Sequence, residues 1–190
     1  MILPAALAAL GVSALALAAP APAHAAGSIS CRTAGRTHFL PGVQMARQSE
    51  RVTYRGGSGT CVDHSDLGVT SARLSASFDD VDLSCAADDF GTGAGTATIV
   101  WDAGGAKPTS GAKPTSGAKP TSKVTVTIDE TALNTAKVSG VVTEGPFRGQ
   151  RFTGVLDTSL LKGTGTGTCA KGALFGGVKS APFTGRFSIG

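Results

Sequence analysis

Aromatic residues are scarce in this sequence, and none accompanies its most basic segment. One tryptophan and one tyrosine occur among 190 residues. Four lysines stand in or beside a repeated segment with no acidic residue among them: Lys107, Lys113, Lys119 and Lys123. Proteins that bind single-stranded nucleic acid combine basic side chains with aromatic rings on which the bases stack. We therefore expect no nucleic-acid partner.

Short motifs that hold metals or carry out redox chemistry are missing as well. The four cysteines include no C-x-x-C pair, and zinc sites need closely paired ligands. Seven of the thirteen acidic residues lie in one region: Asp63, Asp66, Asp79, Asp80, Asp82, Asp88 and Asp89. This region lacks the spacing of an EF-hand loop, and neighbouring Asp residues on a strand point to opposite faces. The pattern favours solvated turns over a calcium site, and we expect no metal and no cofactor.

The sequence also offers no persuasive catalytic constellation. The segment CVDHSD brings Asp63, His64, Ser65 and Asp66 together. Adjacent residues rarely orient a nucleophile, a base and a carboxylate in one line, so we interpret this segment as a polar turn after a strand. The glycine-rich segment GTGAG at 91–95 precedes a strand pattern rather than the helix that a dinucleotide-binding loop requires. We expect that the protein is not an enzyme.

The N-terminal segment has the features of a secretory signal. Residues 1–19 are almost wholly apolar, and the first charged residue is Arg32. Ala23 and Ala25 satisfy the A-x-A rule for signal-peptidase cleavage. The alternative is an uncleaved membrane anchor, but the alanine-rich run is broken by proline and glycine and is only just long enough to span a bilayer. We predict a signal peptide at 1–25, an extracellular mature protein, and no membrane span after signal removal.

The cysteines predict disulfides and a single domain. An exported chain with four cysteines, Cys31, Cys61, Cys85 and Cys169, is expected to form two disulfides. Among the three possible pairings we prefer Cys31 with Cys61 and Cys85 with Cys169. Three cysteines precede the repeated segment and one follows it, so one disulfide must cross the repeat. We therefore expect one domain at 26–190 rather than two domains joined by a linker.

The repeated segment consists of the word GAKPTS written three times at 105–122. TATIVW at 96–101 and KVTVTID at 123–129 flank it, and both alternate apolar and polar residues as the arms of a β-hairpin do. The repeat contains no apolar residue beyond alanine and proline, so it cannot bury enough surface to become ordered. We predict a long, flexible, disordered insertion at the tip of this hairpin.

Alternation continues along most of the remaining chain. The strand patterns cover VTSARLSASF at 69–78 and the segments around Val138–Val142, Phe152–Leu156 and Phe183–Ile189. Only Glu130–Ala136 and Ser159–Lys162 are candidates for a helical turn. Short strands separated by glycine-containing turns predict an all-β fold, an antiparallel sandwich or barrel.

A resemblance rests on the order of several features. They are Cys31, the Pro41-Gly42 turn, Cys61, the LSC at 83–85, GTGAGTATIVW ending at Trp101, the GPFRG turn at 145–149, Cys169 and the closing FTGRFSIG. In this order they resemble a group of small secreted β-proteins of actinobacteria. The resemblance implies a fold, and it implies no established activity and no site residues.

Three function classes follow from these observations. The first is a non-catalytic extracellular binding or structural module, acting at the cell envelope or in the medium on an envelope polymer or an extracellular protein. Trp101 is a candidate stacking residue for it, although its alternation with Ile99 favours packing in the core. The second class is an inhibitor of an extracellular protease, and the third is a secreted hydrolase. We favour the first class.

Overall fold

The computed structural model describes residues 27–85, 91–104, 119–132, 135–158 and 176–190. The predicted signal peptide, Cys169, Asp88 and Asp89, most of the repeat and the candidate helical turn at 159–162 lie outside these described residues.

Eight strands make up the described part of the chain, and each is antiparallel to its neighbours. They are β1 (Ile29–Val43), β2 (Gln48–Asp63), β3 (Val69–Leu83), β4 (Gly93–Ala103), β5 (Thr121–Ala132), β6 (Thr135–Glu144), β7 (Arg151–Thr158) and β8 (Val178–Ile189). Sequential strands pair with one another, and β8 pairs with β1, so the sheet closes into a barrel. Of the two predicted all-β architectures, sandwich and barrel, the structure has the barrel.

The alternation of side chains explains which face of each strand is buried. In β3, Leu74 and Phe78 are buried while Arg73 and Ser75 are exposed. Successive side chains on a strand point to opposite faces, so the apolar set lines the interior and the polar set faces solvent. The strand patterns at 69–78, 96–101, 123–129, 138–142, 152–156 and 183–189 are all confirmed.

The interior of the barrel is filled by its own side chains. An eight-stranded barrel is just wide enough for side chains to fill it or for one small ligand. Here Tyr54, Leu74, Phe152 and Phe187 are among the residues that surround a remaining cavity of only about 10 Å³. That volume is at the lower limit for a single water molecule. The described interior therefore leaves no room for a ligand.

Polar side chains are buried in the first two strands. The Thr33 and Tyr54 hydroxyls share a buried hydrogen bond of 2.6 Å. The carboxylate of Glu50 is buried, and it accepts one hydrogen bond from the Gly42 N–H (2.9 Å) and one from Gln48 Nε2 (2.8 Å). Each of these buried groups has a partner, which offsets the cost of removing it from water.

One predicted element is wrong. The segment Glu130–Ala136 was a candidate for a helical turn, but β5 continues to Ala132 and pairs there with Thr135 at the start of β6. β-branched threonines at 131 and 135 favour extended backbone. Only positions 133 and 134 separate the two strands in the sequence.

The disulfide between Cys31 and Cys61 is present as predicted. It joins two residues that face each other across β1 and β2, with their Cα atoms 4.1 Å apart. Cys85 follows β3, and Cys169 lies outside the described residues. The pairing of Cys85 with Cys169, and with it the second of the two predicted disulfides, stays a prediction.

Candidate functional site

A wide cleft lies on the outside of the barrel. It has a volume of about 660 Å³ and runs over β1, β2, β7 and β8. Its polar lining includes the side chains of Arg32, Arg186, Asp157, Thr60 and Thr184. Because the interior is filled, room for another molecule lies on the outside of the barrel, and this cleft offers more of it than the outer clefts of about 310 and 270 Å³.

A local irregularity in strand pairing shapes the cleft. The register between β1 and β2 shifts between Cys31 and Gly35, where β2 carries one extra residue. Such a bulge bends the strand and interrupts the ladder. Gly59 lies in the bulge, and a Cβ at this position would collide with the backbone carbonyl of Arg32. Only glycine allows the two backbones to approach this closely.

Two pairs of arginines face solvent beside and beyond the cleft. Arg32 on β1 lies directly opposite Arg186 on β8, and Arg36 on β1 lies directly opposite Arg55 on β2. All four side chains are exposed. We call these four residues, Arg32, Arg36, Arg55 and Arg186, the arginine face. Sequence analysis missed it, because the pairing depends on the register of strands that are distant in the chain.

The arginine face has no acidic partner among the described residues. The polar contact it makes there is a hydrogen bond of 3.3 Å from Arg36 Nη2 to Ser180 Oγ. Asp157 also lines the cleft, where its Oδ1 accepts a hydrogen bond of 2.6 Å from Thr135 Oγ1. The arginine face therefore carries a local excess of positive charge.

Some other basic residues on the barrel are paired with acids. Arg51 Nε lies 2.6 Å from Asp79 Oδ1, and Lys123 Nζ lies 2.8 Å from Glu144 Oε2. The Asp79 hydrogen bond, followed by the charge of Asp79, raises the pKa of Arg51. These ion pairs are exposed, and such pairs contribute little to stability. They do neutralise charge locally, in contrast to the arginine face.

The acidic region adopts a different arrangement from the one predicted. Asp79 and Asp80 both face solvent, because the register between β2 and β3 shifts between Glu50 and Val52 and places the two residues opposite Arg51. The expectation that adjacent Asp side chains point to opposite faces is therefore wrong at this bulge. In the part of the chain that the structure describes, no three metal-binding side chains come together.

The CVDHSD segment ends β2 and begins the turn to β3. The Asp63 carboxylate accepts hydrogen bonds from Ser65 Oγ, from the Ser65 N–H (2.8 Å) and from the Val69 N–H (2.8 Å). Partial burial acts to raise the pKa of Asp63, but these hydrogen bonds and one from Gly68 together hold it below its usual value. Ser65 thus donates to a carboxylate that organises the turn, and His64 is exposed beside it.

Trp101 lies in the core rather than on a binding surface. Its side chain is 1% exposed and packs against Phe147 with ring centroids 5.2 Å apart. Its indole Nε1 donates a hydrogen bond of 2.8 Å to Ser122 Oγ, which in turn donates to the Pro146 carbonyl at 2.6 Å. The preference for core packing of Trp101 over stacking is confirmed.

The contacts of Ser122 also correct the predicted boundary of the repeat insertion. Ser122 is the last residue of the third GAKPTS word, and it is buried in β5, which begins at Thr121. Just before it, Lys119 Nζ lies 2.6 Å from Asp102 Oδ2, and the Pro120 carbonyl accepts a hydrogen bond from the Trp101 N–H. The insertion predicted at 105–122 therefore ends earlier, and its last two residues belong to the barrel. Residues 105–118 lie outside the described ranges.

Comparison with protein-family models, with curated proteins and with solved structures gives no match. The resemblance to small secreted actinobacterial proteins stays a prediction. Within the described residues there is no helix of the length and apolarity needed to cross a membrane.

Proposed function

We propose that the protein is a non-catalytic extracellular module that binds a polymer of the cell envelope through the outside of its barrel. The observation that carries this proposal is the filled interior together with an outer cleft of about 660 Å³. An interior occupied by side chains excludes a ligand from the place where many barrels bind small molecules. Strands hold the cleft in place, so it is a rigid surface on which an extended ligand can lie.

The outer surface offers the polar groups that such a ligand needs. Thr153 and Ser188 face each other across β7 and β8 with their hydroxyls 2.9 Å apart, and Ser30 continues the row onto β1. Hydroxyl groups both donate and accept hydrogen bonds, as sugar hydroxyls do. Exposed hydroxyls beside cationic arginines form a surface suited to a polar, extended molecule.

Co-sedimentation tests this function. The purified chain from Ala26 to Gly190 is mixed with producer cell walls and with a panel of insoluble polysaccharides, at low and at high salt. We expect a fraction of the protein in the wall pellet that depends on wall concentration and saturates. A matched control is the same chain unfolded by reduction in denaturant, which must lose this saturable binding.

One outcome of the co-sedimentation experiment would contradict the proposed function. If the folded protein stays in the supernatant with every polymer at both salt concentrations, the proposed function is wrong. A soluble binding partner would then be the favoured hypothesis, and extracellular proteases would be tested first by inhibition assays.

A further inference from the structure

We propose that the arginine face is a binding site for a linear polymer of phosphate groups. This inference rests on the proposed function and names the chemistry of its ligand. It starts from the two cross-strand arginine pairs, Arg32 with Arg186 and Arg36 with Arg55.

These pairs oppose folding rather than support it. Like charges directly opposite one another on neighbouring strands destabilise a sheet. The usual remedy is an acid between them, and among the described residues the arginine face has no ion pair. The side chains of Arg32, Arg55 and Arg186 form no ion pair or hydrogen bond with the described residues, so no contact there offsets the repulsion. An anion bound from outside would remove the repulsion.

The geometry of each pair favours phosphate over carboxylate. One guanidinium presents two parallel N–H donors that match the two oxygens of a single carboxylate. A phosphate group inside a linear polymer keeps two non-bridging oxygens, and its tetrahedral phosphorus directs them along diverging lines, so each oxygen can accept from a different guanidinium. Each cross-strand pair can therefore hold one phosphate group between its two forks.

The spacing of the pairs favours a polymer over a single ion. Arg32 and Arg36 are four residues apart on β1, which pairs with β8 without a shift from Ile29 to His38. Four residues of regular strand span about 13 Å. One phosphate cannot reach both pairs, whereas a chain of phosphates lying along β1 can. The small side chain of Ala34 lies between them on the same outward face, so it does not block the path.

The position of Asp157 indicates which strands the phosphate polymer crosses. This carboxylate lines the cleft together with Arg32 and Arg186. It repels an anion on the β7 side, so the polymer is expected to pass over β8, β1 and β2. This path continues from Arg186 and Arg32 to Arg36 and Arg55.

Nucleic acid is the less suitable phosphate polymer for this surface. Binding of single strands uses exposed aromatic rings on which the bases stack. The single tryptophan and the single tyrosine of the chain, Trp101 and Tyr54, are both buried in the barrel. The outward-facing neighbours of Arg32 on β1 are Ser30 and Ala34, and neither is aromatic.

Fluorescence anisotropy with end-labelled linear inorganic polyphosphate tests the site. Two double variants of the purified protein remove the pairs: Arg32→Gln with Arg186→Gln, and Arg36→Gln with Arg55→Gln. We expect each to raise the Kd for polyphosphate at least tenfold in about 0.15 M salt, where screening of exposed charges is strong. Melting temperatures of both variants should equal or exceed that of the parent protein, since each substitution removes a like-charge pair.

The control variant removes the same amount of charge elsewhere. Arg73→Gln on β3 combined with Lys123→Gln on β5 also lowers the net charge by two. We expect it to change the Kd for polyphosphate less than threefold.

Two competitors test the chemistry of the ligand. Polygalacturonate is a polymer of carboxylates, and single-stranded DNA is a polymer of phosphates that also carries bases. We expect both to compete at least tenfold less well than unlabelled polyphosphate, compared per charge.

Each contrary result overturns a defined part of the proposal. An equal loss of binding in the control variant would mean general attraction to a basic protein and no site. Equal competition by polygalacturonate would overturn the preference for phosphate, and equal competition by DNA would overturn the choice of polymer. If polyphosphate does not bind but the protein binds a cell-wall polymer saturably in co-sedimentation, the proposed role of the arginine face is wrong and the proposed function stands. If neither binds, both fail.

Discussion

At the scale of single residues, the hydrogen bonds of Ser122 connect three parts of the barrel. Its hydroxyl accepts from the indole of Trp101 on β4 and donates to the Pro146 carbonyl in the turn between β6 and β7. Phe147 from the same turn packs on Trp101. This buried chain of hydrogen bonds closes the end of the barrel from which the repeat leaves.

Replacing Ser122 should therefore cost stability. In Ser122→Ala both the indole N–H and the Pro146 carbonyl lose a partner, and an unsatisfied buried polar group costs about 1–3 kcal/mol. We expect the free energy of unfolding in urea to fall by about that amount. Thr121→Ala at the exposed neighbouring position is the matched control, with an expected change within about 0.5 kcal/mol. Equal stability of the two variants would contradict the importance of this hydrogen-bond chain.

Two carboxylates should make the protein sensitive to acid. Hydrogen bonds hold the pKa of Asp63 below its usual value despite partial burial, and hydrogen bonds from Ser139 and Thr127 lower the pKa of Asp129. A carboxylate with a lowered folded-state pKa stabilises the protein above its unfolded pKa of about 4, and this contribution is lost as the pH falls further. We expect the unfolding free energy to be constant from about pH 7 to pH 5 and to fall below about pH 4.

The variant Asp63→Asn separates the contribution of one carboxylate. The asparagine cannot titrate and accepts fewer hydrogen bonds from Ser65 and Val69, so the variant should be less stable at pH 7. Its stability should also fall less steeply between about pH 4 and pH 2 than that of the parent protein. Urea titrations followed by circular dichroism at several pH values measure both effects. Parallel curves for the two proteins would exclude Asp63 as a source of the acid sensitivity.

The arginine face shows what sequence patterns cannot supply at this scale. The core position of Trp101 follows from its alternation with Ile99 within one strand. The opposition of Arg32 and Arg186 depends instead on the pairing of strands 154 positions apart, in a register that the barrel sets when it closes. Local patterns carry no information about that register.

At the scale of strands, the sequence predicted six of the eight elements and left β1 and β2 without boundaries. The six have apolar residues at nearly every inward position. In β1 the inward positions include Thr33 and Thr37, and in β2 they include Glu50, all of them buried. Polar residues at inward positions interrupt the alternation of apolar and polar residues, so the pattern does not predict a strand there. The cost of burying them is offset by hydrogen bonds that form only in the folded barrel, such as those of Glu50 with Gly42 and Gln48.

The junction between the repeat and β5 leads to a prediction about repeat number. Because the three words are identical, removing one or two of them always leaves a KPTS segment directly before Lys123. The contacts of Lys119–Ser122 with Asp102 and Trp101 would then be kept, and shortening a surface insertion changes closure entropy only slightly. We expect chains with one, two or three words to melt within a few degrees of one another.

Removing all three words should have a different effect. The chain would then lack a serine at the position that hydrogen-bonds the Trp101 indole. We expect a decrease in stability at least as large as that of Ser122→Ala, measured by urea unfolding. If this deletion were as stable as the three-word chain, the last word would have no structural role.

At the scale of the whole molecule, the disulfide between β1 and β2 should stabilise the barrel substantially. Cys31 and Cys61 are 30 positions apart, and loop-closure entropy for such a separation corresponds to about 3–4 kcal/mol. We expect Cys31→Ala with Cys61→Ala to lower the unfolding free energy by about that amount without loss of the fold. Urea unfolding monitored by Trp101 fluorescence measures this. A change below about 1 kcal/mol would mean that the bond constrains little in the unfolded chain.

The architecture itself could be predicted only to the level of an antiparallel sandwich or barrel. Both contain strands with one buried face, and both produce the same alternation. The difference lies in whether the first and last strands pair with each other. Here Ile29 pairs with Ile189 and Thr37 with Ala181, so the sheet has no free edge between β1 and β8.

The pairing of β1 with β8 also determines when the protein can fold during its synthesis. The ribosome makes β1 first among the strands, and its partner β8 is complete only when the chain has been extended to Ile189. Until then, β1 and β7 have unpaired backbone groups along one side, which can join other chains. Nascent chains that stop before β8 are therefore expected to aggregate or to need a chaperone. Barrel closure becomes possible only after β8 has been made.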